Sequence, residues 1–367
     1  MRGLIVGCLL LWSCHLSARE FQTEGSDLLM GVGAKQIARG GAVVASDNGV
    51  YSMYWNPAGL ADMDRDQVAI AGQLHRDLAH VSFAGIAFVM PRNEEIGFRS
   101  TVGLSYIPRA YFQADGRFEK DAFETVFVEK AVPGMSGGFD GKLDSETNDY
   151  RIGLGTSFDI LPELSIGASV GKIKCKTIFK GYMLGETNYI KRDIGAQATS
   201  IDIGMKYQLS DNLTFGAVVK NINSDLDVHI VTTDINGSTV RDFIAPFIND
   251  TLIGIDYRYS DDIDLSVVYQ SLYGTYSSND FDFKIVRLGA TYRTSLLDYH
   301  AGLIIPIKLN AGDMEKPKLP APAMPTIGVS YSYGDISLDA VFYIHPIMSY
   351  TTNSIKPAVD VSISYQF

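Results

Sequence analysis

Val359-Asp-Val-Ser-Ile-Ser-Tyr-Gln-Phe367, at the end of the chain, alternates without a break. Val359, Val361, Ile363, Tyr365 and Phe367 fall on one face of an extended strand. Asp360, Ser362, Ser364 and Gln366 fall on the other. Period two specifies a strand, and a uniformly apolar face must leave water. The pattern recurs upstream, most cleanly in Ile201-Asp-Ile-Gly-Met-Lys-Tyr207, Ile263-Asp-Leu-Ser-Val267 and Ile327-Gly-Val-Ser-Tyr-Ser-Tyr333. It marks fourteen segments: 67–74, 79–89, 97–107, 150–159, 163–173, 199–208, 213–222, 251–259, 263–272, 284–293, 298–307, 325–333, 336–344 and 358–367. Their lengths match the ~9–11 residues of a membrane-crossing strand.

The connections favour a membrane barrel over a soluble sandwich. Apart from the first, every odd-numbered connection is longer than every even-numbered one. Long loops at one rim and short turns at the other are a barrel's signature, whereas Greek-key links give no such asymmetry. The short turns carry Ser210-Asp-Asn212, Ser260-Asp-Asp262 and Gly334-Asp335, residues suited to tight reversals. An even strand number places both barrel ends on the periplasmic side. The expected fold is all-β: a transmembrane antiparallel β-barrel of about 14 strands with an N-terminal plug.

Composition agrees. The 367 residues include 20 Tyr and 18 Phe against 2 Trp, which favours β structure with rings for interfacial girdles. A formal net charge of −11, with no basic cluster of the nucleic-acid-binding kind, argues against that class of partner. Arg2, the apolar run Leu4–Trp12 and Leu16-Ser17-Ala18 read as a signal peptide over 1–18. A rival reading makes Cys14 a lipidated residue, although Trp12 fits a lipoprotein cleavage box poorly. Cleavage after Ala18 leaves Cys175 alone, with no intramolecular disulfide and no zinc site to build from it. The expected organisation is signal peptide 1–18, N-terminal hatch 19–66 and barrel 67–367, in the cell outer membrane.

The segment 19–66 is rich in glycine and lacks strand alternation. It contains Met30-Gly-Val-Gly-Ala-Lys-Gln-Ile-Ala-Arg-Gly-Gly-Ala-Val-Val-Ala45 and Tyr54-Trp-Asn-Pro-Ala-Gly-Leu60. Gly31-Val-Gly33 is not a dinucleotide loop, because position 36 is Gln36 and no βαβ unit surrounds it. The two stretches together resemble the hatch of the long-chain fatty acid transporter (FadL) family. They are most similar to the FadL-like proteins of spirochaetes and Bacteroidetes. The resemblance in detail covers roughly 28–62. It implies a fourteen-stranded outer-membrane barrel whose hatch must shift for substrate to pass. Asn56, Pro57, Ala58 and Gly59 are the hatch-motif residues. A plain, well-packed plug turn reads equally well from them. The strand ending in Phe367 resembles the closing strand of bacterial outer-membrane barrels, which makes Phe367 the expected signal to the barrel assembly machinery.

The resemblance implies passive uptake of hydrophobic molecules such as long-chain fatty acids, with no cofactor or metal. Outer-membrane lipid is the surrounding partner. Phe123 and Phe127 in the expected 108–149 loop, and Phe243 and Phe247 in the expected 223–250 loop, are candidate docking residues. Equally, these rings pack the loops into a lid. Alternation points Arg99, Lys206, Arg258, Arg287 and Arg293 into the lumen, where Arg99, Arg258 and Arg287 are candidates to hold a carboxylate. The competing reading pairs such cations with Asp202, Asp256 or Asp264. The resemblance also implies a lateral exit near a kinked early strand, for which Gly103 and Pro108 of the third strand could weaken wall pairing, although glycine is common in these strands, as at Gly153, Gly155 and Gly167. The six His show no metal spacing, and no P-loop or Gly-x-Ser-x-Gly elbow occurs, so no enzyme is expected. The alternative function is a barrel that escorts secreted proteins.

Overall fold

The computed structural model describes residues 20–24, 30–75, 78–92, 95, 97–118, 138–185, 187–222, 224–276, 279–311, 322–345 and 355–367. Residues 1–18, Phe123 and Phe127 lie outside them. β1 (Glu20–Glu24) is followed by the short helices α1 (Ala34–Ala38) and α2 (Ser52–Trp55) and a 3-10 turn, Pro57–Asp62. The wall begins with β2 (Gln67–His75), β3 (Leu78–Val89), β4 (Phe98–Phe118), β5 (Phe139–Phe158), β6 (Leu161–Met183) and β7 (Ile190–Ser210). β8 (Leu213–Ile222) and β9 (Asp225–Asp234) form one bent wall strand, as do β10 (Gly237–Pro246) and β11 (Asn249–Arg258). β12 (Ile263–Tyr276), β13 (Asn279–Arg293), β14 (Asp298–Ala311), β15 (Met324–Tyr333), β16 (Ile336–Ile344) and β17 (Pro357–Gln366) complete the circuit.

The result is a closed, antiparallel, 14-stranded barrel. β17 pairs with β2 from Val359–Leu74 to Gln366–Gln67, so the alternating terminal strand closes the seam. Closure joins the first and last wall strands by backbone hydrogen bonds, which is what permits strands to cross a membrane. Polarity at the seam is inside-out: Ile363 is 47% exposed and Asp360 only 2%. The Phe367 N–H donates to the Asp66 carbonyl (2.9 Å) and its ring stacks on Tyr365.

Two expectations need correction. Segment 223–250 is not a loop: β9 and β10 form a hairpin turning at Ile235-Asn236. The described residues of segment 108–149 are largely strand as well, with β4 running to Phe118 and β5 starting at Phe139. Part of the extra length at one rim is therefore strand rather than loop. β4 to β7 have 20 to 23 residues each, about twice a membrane crossing.

The alternation changes phase partway along these strands, which is why they read as ending early. On β6, Ile166 and Val170 face outward; beyond them Ile173, Cys175 and Phe179 face inward, while Lys174 and Lys176 face out. On β7, Ile201, Ile203 and Met205 face out, whereas Ile194, Ala196 and Ala198 face in. Lipid surrounds the lower part and water the upper, so the apolar residues exchange faces.

Candidate functional site: hatch, charged belt and apolar upper lumen

Residues 30–66 fill the lower lumen. Val32, Val43, Val44, Val50, Met53, Trp55 and Leu60 join Phe83, Val218, Leu252 and Val268 of the wall in one buried cluster. Trp55 Nε1 donates to the Val32 carbonyl (2.9 Å), which satisfies the one polar atom of a fully buried ring.

Asn56 is the joint of this plug. Its Oδ1 accepts from the Ala58 N–H (3.1 Å), capping the 3-10 turn that Pro57 begins. Its Nδ2 donates to the Val44 carbonyl (2.8 Å) and to the Met205 carbonyl on β7 (3.1 Å). The wall receives this turn through inward-facing glycines. A Cβ on Gly204 would stand 1.9 Å from Asn56 Oδ1, and one on Gly167 would stand 2.3 Å from Ala58 N. Gly155 meets Leu60 and Ala61 in the same way, and Gly59 itself sits against Ser52. On the opposite wall, a Cβ on Gly302 would stand 2.0 Å from Gly40 N. Strand glycines are thus the sequence signal for hatch contact, which alternation alone does not expose.

Cations fasten the plug. Arg287 is 1% exposed; its Nη1 donates to the Gly40 carbonyl (2.8 Å) and its Nε to Gln270 Oε1 (2.8 Å). Arg99 donates to the Met63 carbonyl where the hatch leaves the lumen. Arg39 pairs with Asp256 (3.1 Å), and Lys206 binds the Ser46 carbonyl (3.1 Å) and Asp62. Arg293 pairs with Asp264. Arg258 is exposed and lines a polar cavity of about 420 Å³ at the short-turn mouth, with Lys35, Asp47, Asp62 and Asp298.

Above the hatch lies a charged belt that sequence reasoning passed over. Asp149 Oδ2 accepts from Arg109 Nη2 (2.8 Å) and Arg151 Nε (2.6 Å). Arg151 continues to Asp202 and to Ser200 (3.0 Å). Lys220 stands 3.5 Å from Asp250 and 3.9 Å from the centre of the Tyr54 ring. Gln270 links Asp250 to Arg287. Four cations therefore face three carboxylates, all buried. Arg109 lay in the expected 108–149 loop, whereas Arg151 lay in an expected strand, where alternation with Ile152 and Leu154 already pointed it inward.

The strands bend at the belt. Asn221, with φ of 60°, ends the regular run of β8, and its side chain donates to the Ile248 carbonyl between β10 and β11 (2.8 Å). Beyond this bend the interior is mostly apolar, with Ser145 and Thr177 hydrogen-bonded to each other among the apolar side chains (2.7 Å). Ala114, Phe139, Leu143, Ile173, Phe179, Ile194, Leu226, Val228 and Ile230 form a second buried cluster. Phe243 and Phe247 pack on its margin, and Arg109 lies over the Phe247 ring at 5.6 Å.

Among the described residues the β3–β4 pairing is short. β3 and β4 pair only between Ala84–Tyr106 and Val89–Thr101. Above Tyr106, β4 passes Pro108 and a bulge at Arg109, and its edge is next paired by β1 at Tyr111–Asp115.

No family model matches the chain, and no curated protein matches it either. Solved structures do. The toluene transporter TodX of Pseudomonas putida is 14% identical, with 92% of this chain and 98% of that chain covered at a TM-score of 0.59. The CymD monoaromatic hydrocarbon channel is 16% identical over 92% and 98%, with a TM-score of 0.60. The architecture is that of the FadL-type channels. A FadL homologue from Pseudomonas aeruginosa agrees, at 11% identity over 91% and 97% and a TM-score of 0.57. At these identities the FadL-type likeness concerns the fold, which here is a plugged barrel of the outer-membrane type.

Proposed function

We propose that this FadL-type barrel admits hydrophobic molecules passively across the outer membrane, with long-chain fatty acids as the substrate class. The carrying observation is the apolar inner face above the belt, where an open porin would be polar. An acyl chain entering there gains roughly 25 cal/mol per Å² of apolar area removed from water. Phe243 and Phe247 stand at its margin and form the first docking surface. The belt below gathers the buried cations Arg109, Arg151 and Lys220, which supports an anionic head group over a neutral hydrocarbon. The interrupted β3–β4 pairing beside Pro108 supports a sideways route into the membrane.

The tall outer wall of β4 to β7 favours a second reading, a surface that escorts secreted proteins. Mass spectrometry of molecules co-purifying with the barrel separates the two. Stoichiometric fatty acid supports uptake. Recovery of a protein partner with no lipid overturns it in favour of the escort.

A further inference from the structure

A groove of about 920 Å³ lies across the outer face of β2 to β7. Its lining is apolar at the bottom, with Ile70, Leu104, Ile152 and Val170. These four side chains are 46–54% exposed on a surface that faces lipid. Lys172 lines the upper end of the groove, and Tyr106 and Tyr150 meet there with ring centroids 5.1 Å apart. An aromatic pair at the limit of an apolar band marks the height of the head groups.

Lys172 begins a row. Lys174 and Lys176 follow at alternate positions of β6, so all three point outward. Successive side chains on one strand face are about 6.7 Å apart. In register beside them stand Tyr150, Asn148 and Glu146 on β5 and Thr199, Gln197 and Gly195 on β7. None of the three lysines forms an ion pair among the described residues, although Glu146 is the cross-strand neighbour of Lys176. A positive row on a chain of net charge −11 is a local departure from its overall field.

We propose that this wall binds one phosphorylated, multi-acyl lipid of the outer leaflet, with acyl chains in the groove and phosphates on Lys172, Lys174 and Lys176. Charge complementarity selects the occupant: the groove alone accepts any acyl chain, while the lysine row requires an anionic head. Lysine stems follow apolar surface while their ammonium groups reach the polar layer. The site is on the outer wall and does not depend on what the lumen carries.

The test is native mass spectrometry of the whole barrel, released from nanodiscs containing lipid A, dephosphorylated lipid A, phosphatidylethanolamine or oleate. One lipid A per barrel is expected to survive release. Replacing the three lysines together (K172Q, K174Q and K176Q) should lower its retention by ~tenfold or more, since each surface cation contributes to holding an anionic lipid. The single variant K174Q should lower it less and keeps the question open to measurement if the triple variant inserts poorly. Val170→Ser should weaken retention with all phosphate contacts kept. Equal retention of the dephosphorylated lipid, retention of oleate alone, or an unchanged lysine variant overturns the proposal. Fatty-acid uptake should be the same in K174Q and the parent protein, which keeps this outcome distinct from that of the transport reading.

Discussion

The Asn56 side chain fills the space that a Gly204 side chain would occupy: a Cβ on Gly204 would stand 1.9 Å from Asn56 Oδ1. One atom less on the wall is thus what allows the hatch to hydrogen-bond to β7. Gly204→Ala should push the Asn56 turn off the wall and cost about 1–3 kcal/mol, the usual range for overpacking. The readout is leakage. Liposomes carrying this variant should swell in small sugars faster than those carrying the parent barrel, and equal swelling would show that the hatch yields without opening.

Asn56→Ala tests the same joint from the other side. It removes the cap on the Pro57–Asp62 turn and both carbonyl contacts. A loss of about 1–2 kcal/mol is expected from the cap. Faster hydrogen exchange should be confined to the hatch, with wall strands β12 to β17 unaffected. Uniform loosening of the wall would mean that Asn56 supports the barrel rather than the plug.

The belt should behave as a coupled unit. Arg151→Met leaves Asp149 and Asp202 buried with a partner removed, and breaking a buried pair costs about 3–5 kcal/mol. Adding Asp202→Asn should restore part of that loss, because the uncompensated charge is gone. Denaturant unfolding of the lipid-inserted barrel, taken through the full double-mutant cycle, measures the coupling. Additive losses would show that Arg151 and Asp202 act independently.

Phe243→Ser and Phe247→Ser together should slow uptake of a long acyl chain while the barrel inserts normally. Both rings belong to the margin of the upper apolar cluster and not to the hatch. Oleate accumulation in proteoliposomes checks this, with heat-modifiable mobility as the control for folding. Uptake equal to the parent would remove these rings from the entry path.

Ile363→Arg places a cation on the lipid face of the closing strand, where Ile363 is 47% exposed. The cost near the middle of a bilayer is about 2–4 kcal/mol. Ser364→Ala, on the lumen side of the same strand, should be much milder. Equilibrium unfolding from liposomes compares the two, and similar losses would contradict the inside-out assignment.

The alternation of Val359 to Phe367, its recurrence in fourteen segments and the unequal connections were enough to indicate a barrel wall of fourteen strands closing on the segment near 67–74, because period two depends only on local geometry. The glycine-rich segment 19–66, without strand alternation, likewise pointed to a plug, and its Trp55-Asn-Pro-Ala-Gly-Leu60 stretch resembles the FadL hatch. Where the strands stop was not legible. On β5, β6 and β7 the apolar phase reverses as the surroundings change from lipid to water, and a reversal of phase reads in sequence like the end of a strand. Only the tertiary structure distinguishes the two, because the solvent on each face is a property of the closed barrel. The same holds for the cations. Arg287 points inward by alternation, but its bond to the Gly40 carbonyl spans 247 residues of chain, and no local pattern encodes a partner that distant.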